Sequence, residues 1–330
     1  MKIPDVDAKI DDIKNDKITG SSILSRRAAE CIDEFANEIL NNHTDLEPEA
    51  YLNELTKICY RLVSAQPTMA AVLNGVNDIL TTVKLKYNDI ESEIKGDQKK
   101  QLDFLCIKTQ AVARQFILES KLAQETIANS YSEILENSDG IMTISASGAV
   151  EMLLTTAAEN SLEFTVYTPE SRPMFEGRLL AQRLASKGID CILIADHAMF
   201  HFLNNCTKVI VGADRVIPNG ILNKIGTSGL ALAAKENEIP FYCACECFKF
   251  VPDLISMEML NPMQPESQLY YPTEGENKPE SLKVLNIFFD FTSIKYIERV
   301  LTDCGLMDSN QVKDYIQNVK ILPELMLNID

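Results

Sequence analysis

The sequence predicts an α/β protein: a helical N-terminal domain over residues 1–137, then a domain built on a parallel sheet over residues 138–330. Three observations predict it. Apolar residues recur at helical spacing as far as about Ser138. Beyond Ser138 the period switches, and short apolar runs alternate with helical segments, the pattern of a doubly wound sheet. The chain has 330 residues and 46% hydrophobic content, enough to bury the cores of one large domain or two moderate ones.

In the first part the spacing predicts helices over Ile23–Leu40, Glu49–Leu62, Thr68–Val83, Tyr87–Ile94 and Gln101–Leu135. Ser64-Ala-Gln-Pro67 separates the second from the third. Lys95-Gly-Asp-Gln-Lys-Lys100 reads as a solvated turn.

In the second part five strands are expected: Gly140–Ser145, Glu163–Tyr167, Asp190–Ala195, Lys208–Gly212 and Pro240–Ala244. Helices over Ala149–Asn160 and Arg178–Lys187, a short helix from His197 and a helix from Thr227 lie between them. Folds of this kind take ligands beyond the carboxyl ends of their strands. Those ends carry Ser145, Thr168 with Glu170, Asp196, Asp214 and Glu246, a polar ring. Pro262–Pro279 is polar and aperiodic and reads as a mobile loop. Order resumes over Val284–Tyr296, and Lys313–Val319 reads as a closing helix.

The formal net charge is −17, a field that repels phosphate backbones and anionic membranes, so neither nucleic acid nor membrane is an expected partner. The first residues are charged and lack the apolar run of a secretory signal, and no stretch of about 18 apolar residues suggests a membrane span. Nine scattered cysteines without an export signal read as reduced thiols of a cytoplasmic protein.

Gly212–Glu236 is the most informative segment. It reads as the end of a buried strand, a turn and a long amphipathic helix. Asp214 stands at the strand end as a candidate acid or base, with a helix cap or turn as the bland alternative. Asn223, Lys224, Gly226 and Thr227 stand at the mouth of the helix, where an ammonium and orphan N–H groups can hold a phosphate; an ordinary Gly-Thr helix start is the alternative. The Walker spacing is absent. Arg172, in Glu170-Ser-Arg-Pro-Met-Phe-Glu-Gly177, can clamp a phosphate or can pair with Glu176 at the surface.

Cys243, Cys245 and Cys247 alternate along a strand, too far apart in a row to close on one tetrahedral ion, so packing is expected and no metal. His43, His197 and His201 are the three histidines; the last two share helical spacing beside Asp196, a weak metal pattern better read as solvated or capping. Arg26-Arg27 reads as a solvated face that can alternatively reach a ligand or partner.

The segments Glu170-Ser-Arg-Pro…Glu176-Gly177, Gly212-Ala-Asp214, Asn219-Gly220, Asn223-Lys-Ile-Gly-Thr227, Glu246-Cys-Phe-Lys-Phe250 and Asn286-Ile-Phe-Phe-Asp290-Phe-Thr resemble the initiation factor 2B alpha/beta/delta family. That family also contains methylthioribose-1-phosphate isomerase and ribose-1,5-bisphosphate isomerase. The resemblance covers most of the chain. It implies a Rossmann-like C-terminal domain after the helical one, no cofactor, and a homodimer or higher oligomer.

Within the family, the isomerase branch carries a cysteine at the end of the first C-terminal strand, working with the aspartate of the Gly-Ala-Asp motif. Here Ser145 stands at that position, and a hydroxyl is far less acidic than a thiol. Two arginines of the isomerase pattern are replaced, at Thr19-Gly20 and at Gln66-Pro67-Thr68, while Arg26 and Arg172 stand at matching positions. The resemblance therefore implies an initiation factor 2B-like regulatory subunit without catalysis. It would bind a sugar phosphate or nucleotide and the alpha subunit of initiation factor 2. The alternative is an aldose–ketose isomerase acting on a phosphorylated ribose, with Asp214 as acid/base, Ser145 in the place of the thiol, and Lys224 with the Thr227 helix start holding phosphate. A ligand-sensing metabolic protein outside translation is the third class.

Overall fold

A computed structural model describes residues 5–42, 46–90, 96–253, 260–272 and 277–326; His43 lies outside them. The chain forms two compact units, Met1–Ala123 with Asn318–Asp330, and Gln124–Gln317. The units thus divide within a long helix, whereas the hydrophobic period changes near Ser138, and the last residues count with the N-terminal helices.

The first unit holds α1 (Asp7–Asn15), α2 (Ser21–Asn41), α3 (Pro48–Ala65), α4 (Ala70–Ile90) and the start of α5 (Gln98–Asn129). The helix α2 forms because Leu24, Ala28, Ile32, Phe35, Ala36 and Ile39 recur at three- and four-residue steps, and all six are buried. Pro48 opens α3, where its missing N–H costs nothing. Phe35 stacks on Tyr51 with ring centroids 5.6 Å apart. The Tyr51 hydroxyl donates to Thr109 Oγ1 at 2.9 Å, so its buried polar tip is satisfied. The helix expected over Tyr87–Ile94 is the end of α4 as far as Ile90; residues 91–95 lie outside the described ones.

The second unit follows the α/β alternation. In chain order it contains β1 (Asp139–Met142), α6 (Gly148–Glu159), β2 (Phe164–Pro169), α7 (Glu176–Ser186), β3 (Asp190–Ile194), α8 (Met199–Phe202) and β4 (Lys208–Val211). There follow β5 (Arg215–Ile217), β6 (Gly220–Lys224), α9 (Thr227–Glu236), β7 (Phe241–Ala244), β8 (Phe289–Ser293), β9 (Arg299–Thr302), β10 (Gly305–Met307) and α10 (Ser309–Gln317). The main sheet has the order β10-β9-β7-β4-β1-β2-β3. Its pairs are parallel apart from β9 with β10. Strand order reverses between β1 and β4, the switch point at which such sheets open a crevice.

Both faces of this sheet are covered. Met142, Val209, Val211 and Cys243 enter one core cluster, and Ile141, Ile210, Val166, Ala244 and Leu301 the other. Period-two alternation therefore divides one continuous apolar run between two cores, as a doubly covered parallel sheet requires.

A second sheet, β5-β6-β8, is antiparallel. The sequence reading expected a turn and a helix mouth here. Instead Pro218 and Asn219 form a two-residue link between two short strands, with Ile217 paired opposite Gly220. Asn223 and Lys224 thus lie at the end of a buried strand that leads into the start of α9, and α9 spans ten residues. The β9–β10 hairpin was also unforeseen. In Pro262–Pro279 the described residues hold a short turn at Glu266–Gln268. Among the described residues no helix is long and apolar enough to cross a membrane.

Candidate functional site at the carboxyl ends of the sheet

The carboxyl ends of β7, β4, β1, β2 and β3 stand in a row, and the segments leaving them carry Glu246, Asp214, Ser145, Ser171 and Asp196. Of the polar ring expected from the sequence, Thr168 is instead buried within β2 and Glu170 pairs with Arg178, so Ser171 takes their place in the row along the rim. At its β1 and β2 portion, Ser145 N–H donates to Ser171 Oγ at 2.8 Å. Asp196 then accepts Ser171 N–H (2.7 Å) and Arg172 N–H (2.8 Å) on its two oxygens. This use of Asp196 places its carboxylate in a backbone clamp. Among the described residues neither His197 nor His201 joins it in a cluster of metal-ligating atoms.

Three side-chain-bearing residues on this rim hold left-handed backbone: Ser145 (φ 66), Ser171 (φ 61) and Phe175 (φ 60). Each such conformation costs on the order of 1 kcal/mol for a residue other than glycine and gathers where geometry matters more than stability. Gly177 fits there because a Cβ would lie 1.9 Å from the Pro169 carbonyl oxygen, so the start of α7 rests directly on the end of β2.

Asp214 follows β4 and is half-buried. Its N–H donates to Leu222 O at 2.9 Å, which ties the strand end to β6. Lys249, in the turn after β7, is buried and lies 3.0 Å from Glu246, which is fully buried. Burial works against the Lys249 charge, but Glu246, Cys245 and Asp214 outweigh it and hold the ammonium above its ordinary value. Asp214 is thus an acid at the switch point in the field of a buried cation. Glu246 is one of the strand-end residues of the expected polar ring, whereas Lys249 stands in the sequence only as part of a motif; its signal is a lysine three residues after that acid.

Lys224 is buried, and its Nζ lies 2.8 Å from Glu176 Oε1 and 4.9 Å from the centre of the Phe288 ring. Glu176 therefore pairs with Lys224 and not with Arg172. Arg172 is exposed, its guanidinium donating to Leu269 O at 3.3 Å and lying 5.4 Å over the Phe175 ring. Arg178 covers Phe175 more closely, at 4.1 Å, and its Nε donates to Glu170 at 3.0 Å.

The expected anion cradle at the start of α9 is occupied by the chain itself. Asp290, on β8 and opposite Asn223 in register, accepts Gly226 N–H at 2.8 Å and Ser228 N–H at 3.1 Å. Gly226 adopts φ 103, a conformation suited to glycine. Thr227 Oγ1 donates to Lys224 O (2.6 Å) and accepts from Asn223 Nδ2 (3.0 Å). Burial raises the Asp290 carboxyl to about 6, against the pull of the Gly226 and Ser228 amides. Asn223, Lys224, Gly226 and Thr227 thus come together as expected, but each already has a partner within the fold. Asp290 was legible as part of a motif, not as the carboxylate that fills the helix start.

Arg26 lies on α2 in the first unit, its guanidinium donating to Ser120 Oγ at 3.1 Å. Gln66, at the place of a family arginine, is buried and donates to Ile13 O (2.6 Å) and Asp16 O (3.0 Å). Its amide closes the carboxyl end of α1, so that position serves the fold of the helical unit.

A curated protein of Methanocaldococcus jannaschii named ribose 1,5-bisphosphate isomerase is 33% identical over 89% of this chain and 89% of its own. A Pyrococcus furiosus protein named as subunit 2-like of translation initiation factor eIF-2B is 30% identical over 90% of this chain and 94% of its own. The crystal structure of Pyrococcus horikoshii translation initiation factor eIF-2B superposes with a TM-score of 0.73 at 26% identity, covering 92% of this chain and 96% of that one. The α/β fold and its helical N-terminal part agree with that structure. The model of the initiation factor 2 subunit family matches residues 17–309, and the chain belongs to that family.

Proposed function

We propose that this chain holds a phosphorylated ribose over the carboxyl ends of β1, β4 and β7 and interconverts its aldose and ketose forms, with Asp214 carrying the proton. The observation that carries this reading is the position of Asp214: half-buried, at the switch point of the sheet, in the field of the Lys249 ammonium. A carboxylate there can take a proton from one carbon and return it to its neighbour, while a nearby cation steadies the oxyanion that forms between the two steps. A carbon-bound proton moves from C2 to C1 and a hydroxyl proton moves from O2 to the oxygen freed at C1, so C2 is oxidised as C1 is reduced within one molecule and no redox cofactor is needed. Lys224 commits one of its three N–H donors to Glu176, and Arg172 is exposed on the rim; both are candidates to meet phosphate oxygens. The relatives named ribose 1,5-bisphosphate isomerase, similar over nearly the whole length of both chains, support the reading. All nine cysteines are free thiols, in keeping with a reducing cytoplasm.

Ser145 favours a second reading. With a hydroxyl where the isomerases carry a thiol, one proton-transfer group is gone, and the site can hold a guest without converting it. The chain would then be a regulatory initiation factor 2B-like subunit, sensing a sugar phosphate or nucleotide and docking the alpha subunit of initiation factor 2 as a homodimer or higher oligomer.

One experiment separates the two. Purified protein is incubated with ribose 1,5-bisphosphate, product is followed by NMR, and melting temperature is measured with and without the compound. Turnover that disappears in Asp214→Asn supports the isomerase. A melting shift without product supports the regulator. Neither shift nor product rejects the phosphorylated ribose.

A further inference from the structure

The fold parts the three cysteines that alternate along the sequence after Pro240. Cys243 and Cys245 stay in the core, their sulfurs 3.8 Å apart. Cys247 enters the turn Cys247–Lys249 and faces the tip of the β9–β10 hairpin. There Asp303 Oδ1 accepts the Cys247 N–H at 2.7 Å, and Asp303 Oδ2 lies 4.0 Å from Cys304 Sγ. The two thiols and a carboxylate oxygen of Asp303 all lie within 4.8 Å of one another. Cys247 is buried, Asp303 half-buried and Cys304 exposed, so the cluster opens to solvent on one side.

The spacing suits a small soft cation. Two sulfurs bound tetrahedrally at about 2.3 Å from zinc stand about 3.8 Å apart, and a sulfur and a carboxylate oxygen about 3.6 Å. From separations of at most 4.8 Å, closing this cluster takes movements of at most about 1.2 Å. The hairpin tip is held in place by its own hydrogen bonds: Cys304 N–H donates to Thr302 Oγ1 at 3.1 Å, and Thr302 Oγ1 donates to Gly305 O at 2.8 Å. The turn itself is packed from the other side, where Phe250 meets the Tyr315 ring edge-on at 5.3 Å. Ligands fixed by such outer partners lose little freedom when a metal arrives. Soft thiolates select zinc over magnesium or calcium.

We propose that Cys247, Asp303 and Cys304 form a binding site for one divalent cation of the zinc class, with water in the fourth position. On binding, each thiol gives its proton to solvent and each sulfur donates an electron pair to the metal, with no change of oxidation state. The bound ion would fasten the turn after β7, which also carries Lys249, to the β9–β10 hairpin.

The test uses the full chain, reduced and stripped with a chelator. Zinc is titrated against a chromogenic competitor, and cobalt(II) is added separately to read thiolate-to-metal charge transfer. One ion per chain is expected, with a thiolate–cobalt band and a rise in melting temperature on adding zinc. Affinity should fall about 100-fold in Cys304→Ser and about 10-fold in Asp303→Asn, and stay unchanged in Cys191→Ser. Cys304 is exposed, so its variant keeps the test open should Cys247→Ser fail to fold. Unchanged zinc affinity in Cys304→Ser would overturn the proposal. So would a cobalt spectrum without a thiolate band, or two thiols that become titratable only after reduction, since the pair would then be a disulfide.

Discussion

Lys224 and Glu176 form a buried ion pair, Nζ to Oε1 at 2.8 Å, that joins β6 to the first residue of α7. Glu176 Oε2 has no hydrogen-bond partner among the described residues. The pair is thus held by one contact on the carboxylate side.

Breaking this pair from one side should be costly and removing both sides should not. Glu176→Ala leaves an ammonium buried without its counter-charge, and about 3–5 kcal/mol of stability should be lost. The double variant Glu176→Leu with Lys224→Met removes both charges at similar volume and should fall within about 1–2 kcal/mol of the parent. Urea unfolding followed by circular dichroism measures both. Equal losses in the single and double variants would mean that Lys224 finds another partner when Glu176 is gone.

Asp290 predicts a pH dependence of opposite sign to the usual carboxylate. Its folded pKa, about 6, stands above the ordinary 3.8, so the native chain binds more protons than the unfolded chain between these values. Its contribution to stability is then fully present below about pH 3.8 and is lost as pH rises through about 6. In Asp290→Asn this component disappears while the amide oxygen can still accept at the start of α9. The measurement is the difference in unfolding free energy between parent and variant from pH 4 to pH 7. A difference that stays constant over this range would show that Asp290 does not titrate there.

The predicted strands of the main sheet were legible because each is a short apolar run, bounded by polar residues and followed by helical spacing. Asp214 and Ser145 were legible because strand ends are fixed once strands are fixed. What escaped were the pieces whose partners are distant in sequence. β5 and β6 are three and five residues long, and their ladder is completed by β8, some 65 residues later. Period alone carries no trace of that pairing. The same distance hid Asp290 as the carboxylate at the start of α9, and it hid Asp303 and Cys304 beside Cys247. Local spacing gathers Asn223, Lys224, Gly226 and Thr227, and Asn223 and Thr227 bond within that group, but the partners of Lys224 and Gly226 come from α7 and β8, which spacing cannot reveal.

Two glycines on the rim should respond differently to one added methyl group. In Gly177→Ala the Cβ meets the Pro169 carbonyl oxygen at 1.9 Å, a backbone atom at the end of β2 that cannot swing aside. Overpacking of this kind costs about 1–3 kcal/mol, and the upper end is expected. In Gly212→Ala the Cβ meets Ser147 Oγ at 2.4 Å, which can rotate away, and Ser147 Cβ at 2.6 Å, which yields only if the residue before α6 shifts slightly. Rotation gives up the cap that Ser147 places on Val150 N–H of α6, worth about 1 kcal/mol. Thermal unfolding of both variants should therefore rank Gly177→Ala as the more damaging. If Gly212→Ala with Ser147→Gly were as stable as Ser147→Gly alone, the steric account of Gly212 would stand, because Ser147→Gly removes both the Oγ and the Cβ that the methyl group meets; a further loss would assign the glycine another role.

Ser145 separates stability from chemistry. It sits in left-handed backbone at φ 66, so Ser145→Gly should gain about 1 kcal/mol by removing the strain of a Cβ there. Ser145→Cys keeps the Cβ and the strain but restores an acidic sulfur beside the switch point, and it should not gain stability. If Asp214 carries the proton with help missing from position 145, turnover of ribose 1,5-bisphosphate should rise on the order of 100-fold in Ser145→Cys. It should fall to background when Asp214→Asn is added. Ser145→Gly should leave turnover near the parent, because the hydroxyl contributes little to proton transfer at its ordinary acidity. A large loss in Ser145→Gly would instead make the hydroxyl itself part of the chemistry. A Ser145→Cys variant that binds the compound but turns over no faster would place the barrier at a step other than the proton transfer at position 145.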